Sequence, residues 1–332
     1  MKTFLIGSFL LVAGIASVRA CDSCGCELCE PGSLSAEYKL PDVYGNLGAL
    51  NEVRPPQSYF FTGLAEQFTY YSTVRDGGQH VGNGADEWEA SSITQILLGY
   101  QVNDRLTLQL NVPIIYRSFE RQLLAVRQKS SVDGLGDISA HINYIAYRLE
   151  KADWSLNWSV SGGVKFPTGS TGFLNETANP AVPDSLVGGH DLTLGTGSVD
   201  GSIGTGFNLR WNKLYFTGDV DYAIRTKGAD GYQYADELSW SAGPGIRAWQ
   251  GGNSGLSVQL LTTGEYKGKD RLNGALEDDT GITQINVGPK IVYAHGGGLV
   301  ASVGVELPVI QHNTDVQLVS DYRIKASVVL RF

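Results

Sequence analysis

Strict alternation near the C-terminal end restricts the fold of this chain more than any other feature. Tyr322, Ile324, Ala326, Val328, Leu330 and Phe332 share one face of an extended segment, while Arg323, Lys325, Ser327 and Arg331 share the other. A strand is the only regular structure with a period of two. An apolar face backed by a charged one predicts a strand with lipid on one side and a polar lumen on the other.

The same pattern recurs upstream. Leu106, Leu108, Leu110, Val112 and Ile114 alternate with Thr107, Gln109, Asn111 and Pro113. Leu214, Phe216, Gly218, Val220 and Tyr222 alternate with Tyr215, Thr217, Asp219 and Asp221, and Leu299 to Leu307 repeat the pattern. Strands of soluble sandwiches average about 5–6 residues, whereas tilted membrane strands need about 9–11, and these runs have the longer form. The expectation is an all-β fold: a transmembrane antiparallel up-and-down β-barrel of about 12 strands. The spans are 58–73, 91–102, 105–121, 135–149, 153–167, 195–211, 213–226, 233–249, 255–268, 282–294, 298–311 and 316–332. Short turns (103–104, 150–153, 212–213, 251–254, 296–297) alternate with longer loops at 74–90, 122–134, 168–194, 227–232, 269–281 and 312–315. Turns on the periplasmic side and loops outside are the arrangement of outer-membrane barrels, and an even strand number leaves both termini periplasmic. Trp154, Trp211, Tyr215 and Trp249 are expected in one aromatic girdle, and Tyr70, Tyr71 and Tyr116 toward the other.

The first residues fit this destination. Lys2, an uncharged apolar run from Phe4 to Ala16, and Val18-Arg19-Ala20 before Cys21 predict a cleaved signal peptide over 1–20. The run is shorter than the roughly 20 residues of a membrane span. Arg19 fits a lipobox poorly, which weakens but does not remove lipidation of Cys21 as an alternative. The net charge of −9 argues against a nucleic-acid partner. Residues 21–57 read as a Cys-rich N-terminal segment and linker that could plug the lumen or meet a periplasmic protein, and 58–332 as the barrel.

Three Gly-rich stretches stand in the middle of the chain: Gly134-Leu135-Gly136-Asp137, Lys165-Phe166-Pro167-Thr168-Gly169, and Gly195-Thr196-Gly197-Ser198 followed by Asp200. In order and spacing they resemble the outer-membrane transporter family named for the meta-cleavage pathway of phenol degradation. That resemblance implies a barrel that moves small, often hydrophobic or aromatic, compounds. The Cys-rich N-terminus departs from the family pattern.

Alternation assigns Arg117, His141, Lys165, Asp200, Arg210, Asp219, Asp221, Glu237, Arg247, Lys290, Glu306, Arg323 and Lys325 to the lumen. Two readings fit so mixed a set: a solute path with a transverse field, or ion pairs that brace a narrow barrel. Pro113, Pro167, Pro244, Pro289 and Pro308 mark bulges or strand ends, and a gap in the wall is the functional alternative. The four cysteines, Cys21, Cys24, Cys26 and Cys29, form one C-x-x-C-x-C-x-x-C block. Four thiolates suit Zn²⁺, Cu(I) or an iron–sulfur centre, and an oxidising compartment would equally favour two disulfides. Tyr322, Ile324, Val328, Leu330 and Phe332 resemble the C-terminal signal that the barrel-assembly machinery reads. No arrangement of Ser, His and acid suggests a hydrolase, so no enzyme is expected, and His190 beside Asp191 reads as part of a solvated loop. These features together predict a channel for small solutes in the outer membrane. The alternative is an anchor or conduit for a periplasmic thiolate metal site.

Overall fold

In the computed structural model, which describes residues 58–123, 126–179, 185–296 and 298–332, twelve long antiparallel strands close into a barrel. They are β1 (Tyr59–Asp76), β2 (Trp88–Gln101), β3 (Leu106–Leu123), β4 (Ser139–Glu150), β5 (Trp154–Lys165) and β6 (Asp200–Trp211). The series continues with β7 (Leu214–Ile224), β8 (Glu237–Gly251), β9 (Ser254–Lys267), β10 (Ile282–His295), β11 (Leu299–Asn313) and β12 (Val316–Arg331). Each strand pairs with its neighbours in sequence, and β12 closes on β1 from Phe61↔Arg331 to Asp76↔Val316. Closure leaves no edge unpaired along that seam, which a barrel in lipid requires.

Side chains sort by the period of two. Leu64, Ile114, Trp158, Ile203, Leu260, Val303 and Leu330 lie exposed on the outer surface, while Gln67, Gln95, Asn111, Ser159, Asn208, Gln259 and Ser327 are buried inside. A soluble protein inverts this arrangement. A continuous apolar exterior over a polar interior is stable only where lipid covers it. Trp154, Trp211 and Trp249 mark the short-turn end of that belt. Tyr215 does not join them. It points inward, and its ring lies over Gly245, where a Cβ would come within 2.1 Å of Tyr215 Cζ. Tyr71 also faces inward, on the same face of β1 as the buried Ala65, Gln67 and Thr69.

Three parts of the wall depart from the expected regularity. The span 122–134 is largely strand rather than loop, since Val126–Leu135 pairs with the upper part of β3 from Leu123↔Val126 to Ile114↔Leu135. At Pro113 the partner of β3 changes: Asn111 pairs with Ser139 of β4, and Gly136-Asp137-Ile138 breaks the strand in between. Gly136 N–H still reaches Pro113 O at 2.9 Å. Next, β6 begins at Asp200 and not at 195, and β5 ends at Lys165, before Pro167. Finally, the β11–β12 ladder runs from Leu299↔Leu330 to Glu306↔Arg323 and stops there, although both strands continue toward their tight turn. Pro308 sits beside this seam, opposite Asn286 at a bulge. Pro244 and Pro289 each follow a glycine, at points where the ladder skips two residues. A proline lacks the N–H that the ladder needs there.

Candidate functional site in the barrel interior

The longest loop, expected outside the barrel over 168–194, spans 166–199, and its described parts fold into the lumen at the long-loop end. Its described parts include two single-turn helices, α1 (Leu174–Thr177) and α2 (Gly189–Leu192). Its Leu194 packs against Ile93 and Ile115, while Val187 and Leu192 pack with Phe119 and Leu318. All four wall residues are apolar positions on the inner face, and the loop covers them. Arg117 donates to Thr193 O, and Arg121 donates to Val187 O at 3.3 Å and pairs with Glu176 at 2.6 Å. The loop is an internal strap.

One buried clasp fixes its two ends. Asp137, turned inward at the break between Leu135 and β4, accepts from Gly169 N–H at 2.9 Å and from Thr196 N–H at 2.9 Å. It also accepts from the Thr196 hydroxyl at 2.9 Å and from Lys165 Nζ at 2.6 Å. Lys165 reaches Asp200 at 2.9 Å, Asp200 reaches Arg225 at 3.4 Å, and Arg225 reaches Glu237 at 2.8 Å. The three Gly-rich stretches of the sequence therefore meet at one carboxylate. Their glycines are required for closeness: a Cβ on Gly195 would lie 2.6 Å from Asp137 Oδ1, and one on Gly169 would lie 2.5 Å from Leu194 O. Burying so many charges contributes little net stability, because desolvation offsets most of the attraction. What the network does is fix position, since no member can leave without stranding another.

A second charged group lies across the lumen. Glu306 accepts from Thr263 at 2.9 Å and pairs with Lys325 at 3.2 Å and Arg323 at 3.7 Å, and Arg323 reaches Glu265 at 3.6 Å. Beside it, Lys267 pairs with Asp270 at 2.8 Å and lies over the Tyr234 ring. Tyr232, buried next to them, donates to Asp270 at 2.7 Å; burial first, and the Asp270 charge second, hold its phenol well above the usual range. His190 is not solvated: it stacks on Tyr232 with centroids 5.8 Å apart and contacts Asp191 at 3.3 Å. Between strap and wall remains a cavity of about 100 Å³, lined by Tyr71, Glu89, His190, Glu265, Lys267 and Leu318 among others.

Of the residues assigned to the lumen by alternation, Arg117, His141, Lys165, Asp200, Arg210, Asp219, Asp221, Glu237, Arg247, Glu306 and Arg323 are buried inside. Lys290 and Lys325 are half-buried beside a smaller cavity of about 40 Å³. Lys165, Asp200 and Glu237 join the clasp, Glu306, Arg323 and Lys325 the second group, and Arg117 holds the strap. Arg210 contacts Ser155 at 3.2 Å, Asp219 accepts from Ser241 at 2.6 Å, and Arg247 reaches Asn212 O at 3.2 Å. Sequence reasoning left Asp137 and Arg225 out of the set, although both fall on the inner face of the expected spans 135–149 and 213–226. Glu265 and Lys267 continue the inner face of β9 from Thr263 and were readable by the same alternation. Cys21, Cys24, Cys26 and Cys29 lie outside the described residues, and so does the proposed plug over 30–57. Among the described residues no group of three or more His, Cys, Asp or Glu is placed to hold a metal.

No family model matches the chain, and no curated protein does. Among solved structures it is similar to an outer membrane channel from Pseudomonas putida F1, at 16% identity and a TM-score of 0.56, over 83% of this chain and 96% of that one. The β domain of the Bordetella autotransporter BrkA aligns at 12% identity and a TM-score of 0.41, over 82% of this chain and 99% of that one. The Ralstonia pickettii toluene transporter TbuX aligns at 10% and 0.36, over 90% and 93%. The first likeness shows that the chain has the fold of an outer-membrane β-barrel channel. The others are too distant to carry an argument.

Proposed function

We propose that the protein is a passive channel of the bacterial outer membrane for small solutes, with its long-loop end outside and both termini in the periplasm. One observation carries this reading: among the described residues, the strap and the wall leave a cavity of about 100 Å³ between them, over a polar interior. Tyr71, Glu89, His190 and Lys267 give that cavity a mixed polar lining. The solved Pseudomonas putida barrel that shares this fold is itself described as an outer membrane channel.

The mouth suits solutes with both polar and apolar parts, since Leu186, Ile282, Leu318 and Val319 share its lining with the charged groups. Aromatic or otherwise hydrophobic compounds, which the family resemblance implies, have a separate exit. Above Glu306 and Arg323 the β11–β12 ladder is missing, and Leu307, Val309 and Ile310 offer an apolar margin there. Swelling of vesicles that contain the purified protein tests the reading, and vesicles no more permeable than protein-free ones would refute it.

A second reading rests on the spacing of the four thiols just ahead of β1. In it the barrel anchors a periplasmic site for a soft metal or an iron–sulfur centre, presented to a periplasmic partner.

A further inference from the structure

The charged groups of the interior are paired, whereas a contiguous neutral patch beside them is bonded only in part: Asn111 Oδ1 accepts from Gln109 at 2.8 Å and His141 Nε2 meets Ser139 Oγ at 2.9 Å. Gln95 of β2, Asn111 of β3, His141 of β4 and Ser202 of β6 all face inward on neighbouring strands. Leu97, two residues from Gln95, pairs with Asn111; Asn111 pairs with Ser139, two residues from His141; His141 pairs with Gly163, and Gly163 with Ser202. Gln95, Asn111 and His141 are 0%, 1% and 6% exposed. Among the described residues, both amide atoms of Gln95, Nδ2 of Asn111, Nδ1 of His141 and Oγ of Ser202 have no hydrogen-bond partner. Native structures leave few buried polar atoms in this condition, and a cluster of them calls for an explanation.

Gly163 indicates what the cluster is for. A Cβ built there would lie 2.2 Å from His141 Nδ1 and 2.8 Å from Ser202 Oγ. The imidazole and the hydroxyl thus converge over bare backbone, without bonding each other. Any side chain at 163 would occupy the space that they share.

We infer that Gln95, Asn111, His141 and Ser202 form a selectivity filter for neutral hydroxylated solutes. The inference deepens the channel reading and rests on it. A polyol brings donors and acceptors in equal measure, and the patch offers both: amide N–H and C=O, a hydroxyl, and an imidazole nitrogen. An ion would have to leave its hydration shell for a patch whose side chains hold no fixed charge when His141 is neutral, and neutral groups compensate that loss poorly. The same chemistry disfavours an all-apolar solute, because the unpartnered polar atoms would stay unpartnered.

The test uses the purified full-length protein in vesicles, with glycerol and erythritol as probes in swelling assays and KCl conductance in planar bilayers. Gly163→Val fills the shared space, and Gln95→Leu with Asn111→Leu removes the amides. Each is expected to slow polyol entry by about tenfold, the equivalent of about 1.4 kcal/mol, while Gln95→Asn stays near wild type. Retention of the compact form on unboiled gels confirms that each variant is folded. Folded variants that pass polyols at the wild-type rate would overturn the filter and leave the channel standing. Wild-type protein that conducts KCl freely, or passes benzyl alcohol but no polyol, would overturn it likewise. Wild type that passes nothing at all would overturn the channel reading itself.

Discussion

Replacing Asp137 with alanine should release the strap and leave the barrel intact. Asp137 is fully buried, and it accepts from two backbone amides, one hydroxyl and Lys165 Nζ at 2.6–2.9 Å. Removing one partner of a buried ion pair costs roughly 3–5 kcal/mol. The low end applies, because Lys165 keeps Asp200 at 2.9 Å. About 3 kcal/mol raises the open population of the strap by roughly a hundredfold. The closed ladder of twelve strands does not run through Asp137, so the cost falls on the strap alone. Proteolysis follows the open population when reclosing is fast. The strap has no Lys or Arg, but Phe173, Leu186 and Leu192 suit chymotrypsin. Cleavage there should quicken by about two orders of magnitude in Asp137→Ala, with the compact gel form retained before digestion. A pair at the opposite end, half-buried Arg148 with exposed Asp104, serves as control, and Arg148→Ala should leave the rate unchanged. If Asp137→Ala is cut no faster than wild type, the clasp does not hold the strap.

Further outcomes follow from the same contacts. Gly195→Ala should mimic Asp137→Ala at about 1–3 kcal/mol, because its methyl group would meet Asp137 and Gly169; chymotrypsin reads this too. Leu260→Arg, on the outer belt, should lower barrel stability in lipid by about 2–4 kcal/mol, measured by urea titration in vesicles. Alkali should melt the Tyr232 contacts late: its raised pKa adds stability that is complete below about pH 10 and is lost as pH rises through the folded value. Ultraviolet titration should therefore find the Tyr232 phenol ionising only as the loops around it unfold, and Tyr232→Phe should remove that late step. Joining Gln311→Cys to Ser320→Cys across the seam should slow uptake of an aromatic solute while sparing polyols. Elemental analysis of the anaerobically purified protein should find a soft metal that is lost when the four cysteines become serine, whereas metal-free protein with two disulfides would sink the second reading.

The barrel was legible because its signal is repeated. Each strand states its two faces again, so errors such as beginning β6 at 195 do not alter the count. Tyr215 was misplaced because a girdle was inferred from nearness to a turn, while its own alternation with Leu214 and Phe216 already sent it inward. The strap was not legible. Its inward fold rests on Leu192 and Leu194 meeting Phe119 and Ile115, contacts across the lumen that no local period encodes. Glycine spacing around Asp137 was visible, yet only the fold shows that three separate stretches meet at one carboxylate.

Solute flux through the purified protein tests the central claim most directly. Vesicles with wild-type protein should swell faster than empty ones in a small neutral solute, and those with Asp137→Ala, whose strap is released, should swell faster still. Equal impermeability of both would mean that the interior is a sealed brace, and would contradict the account.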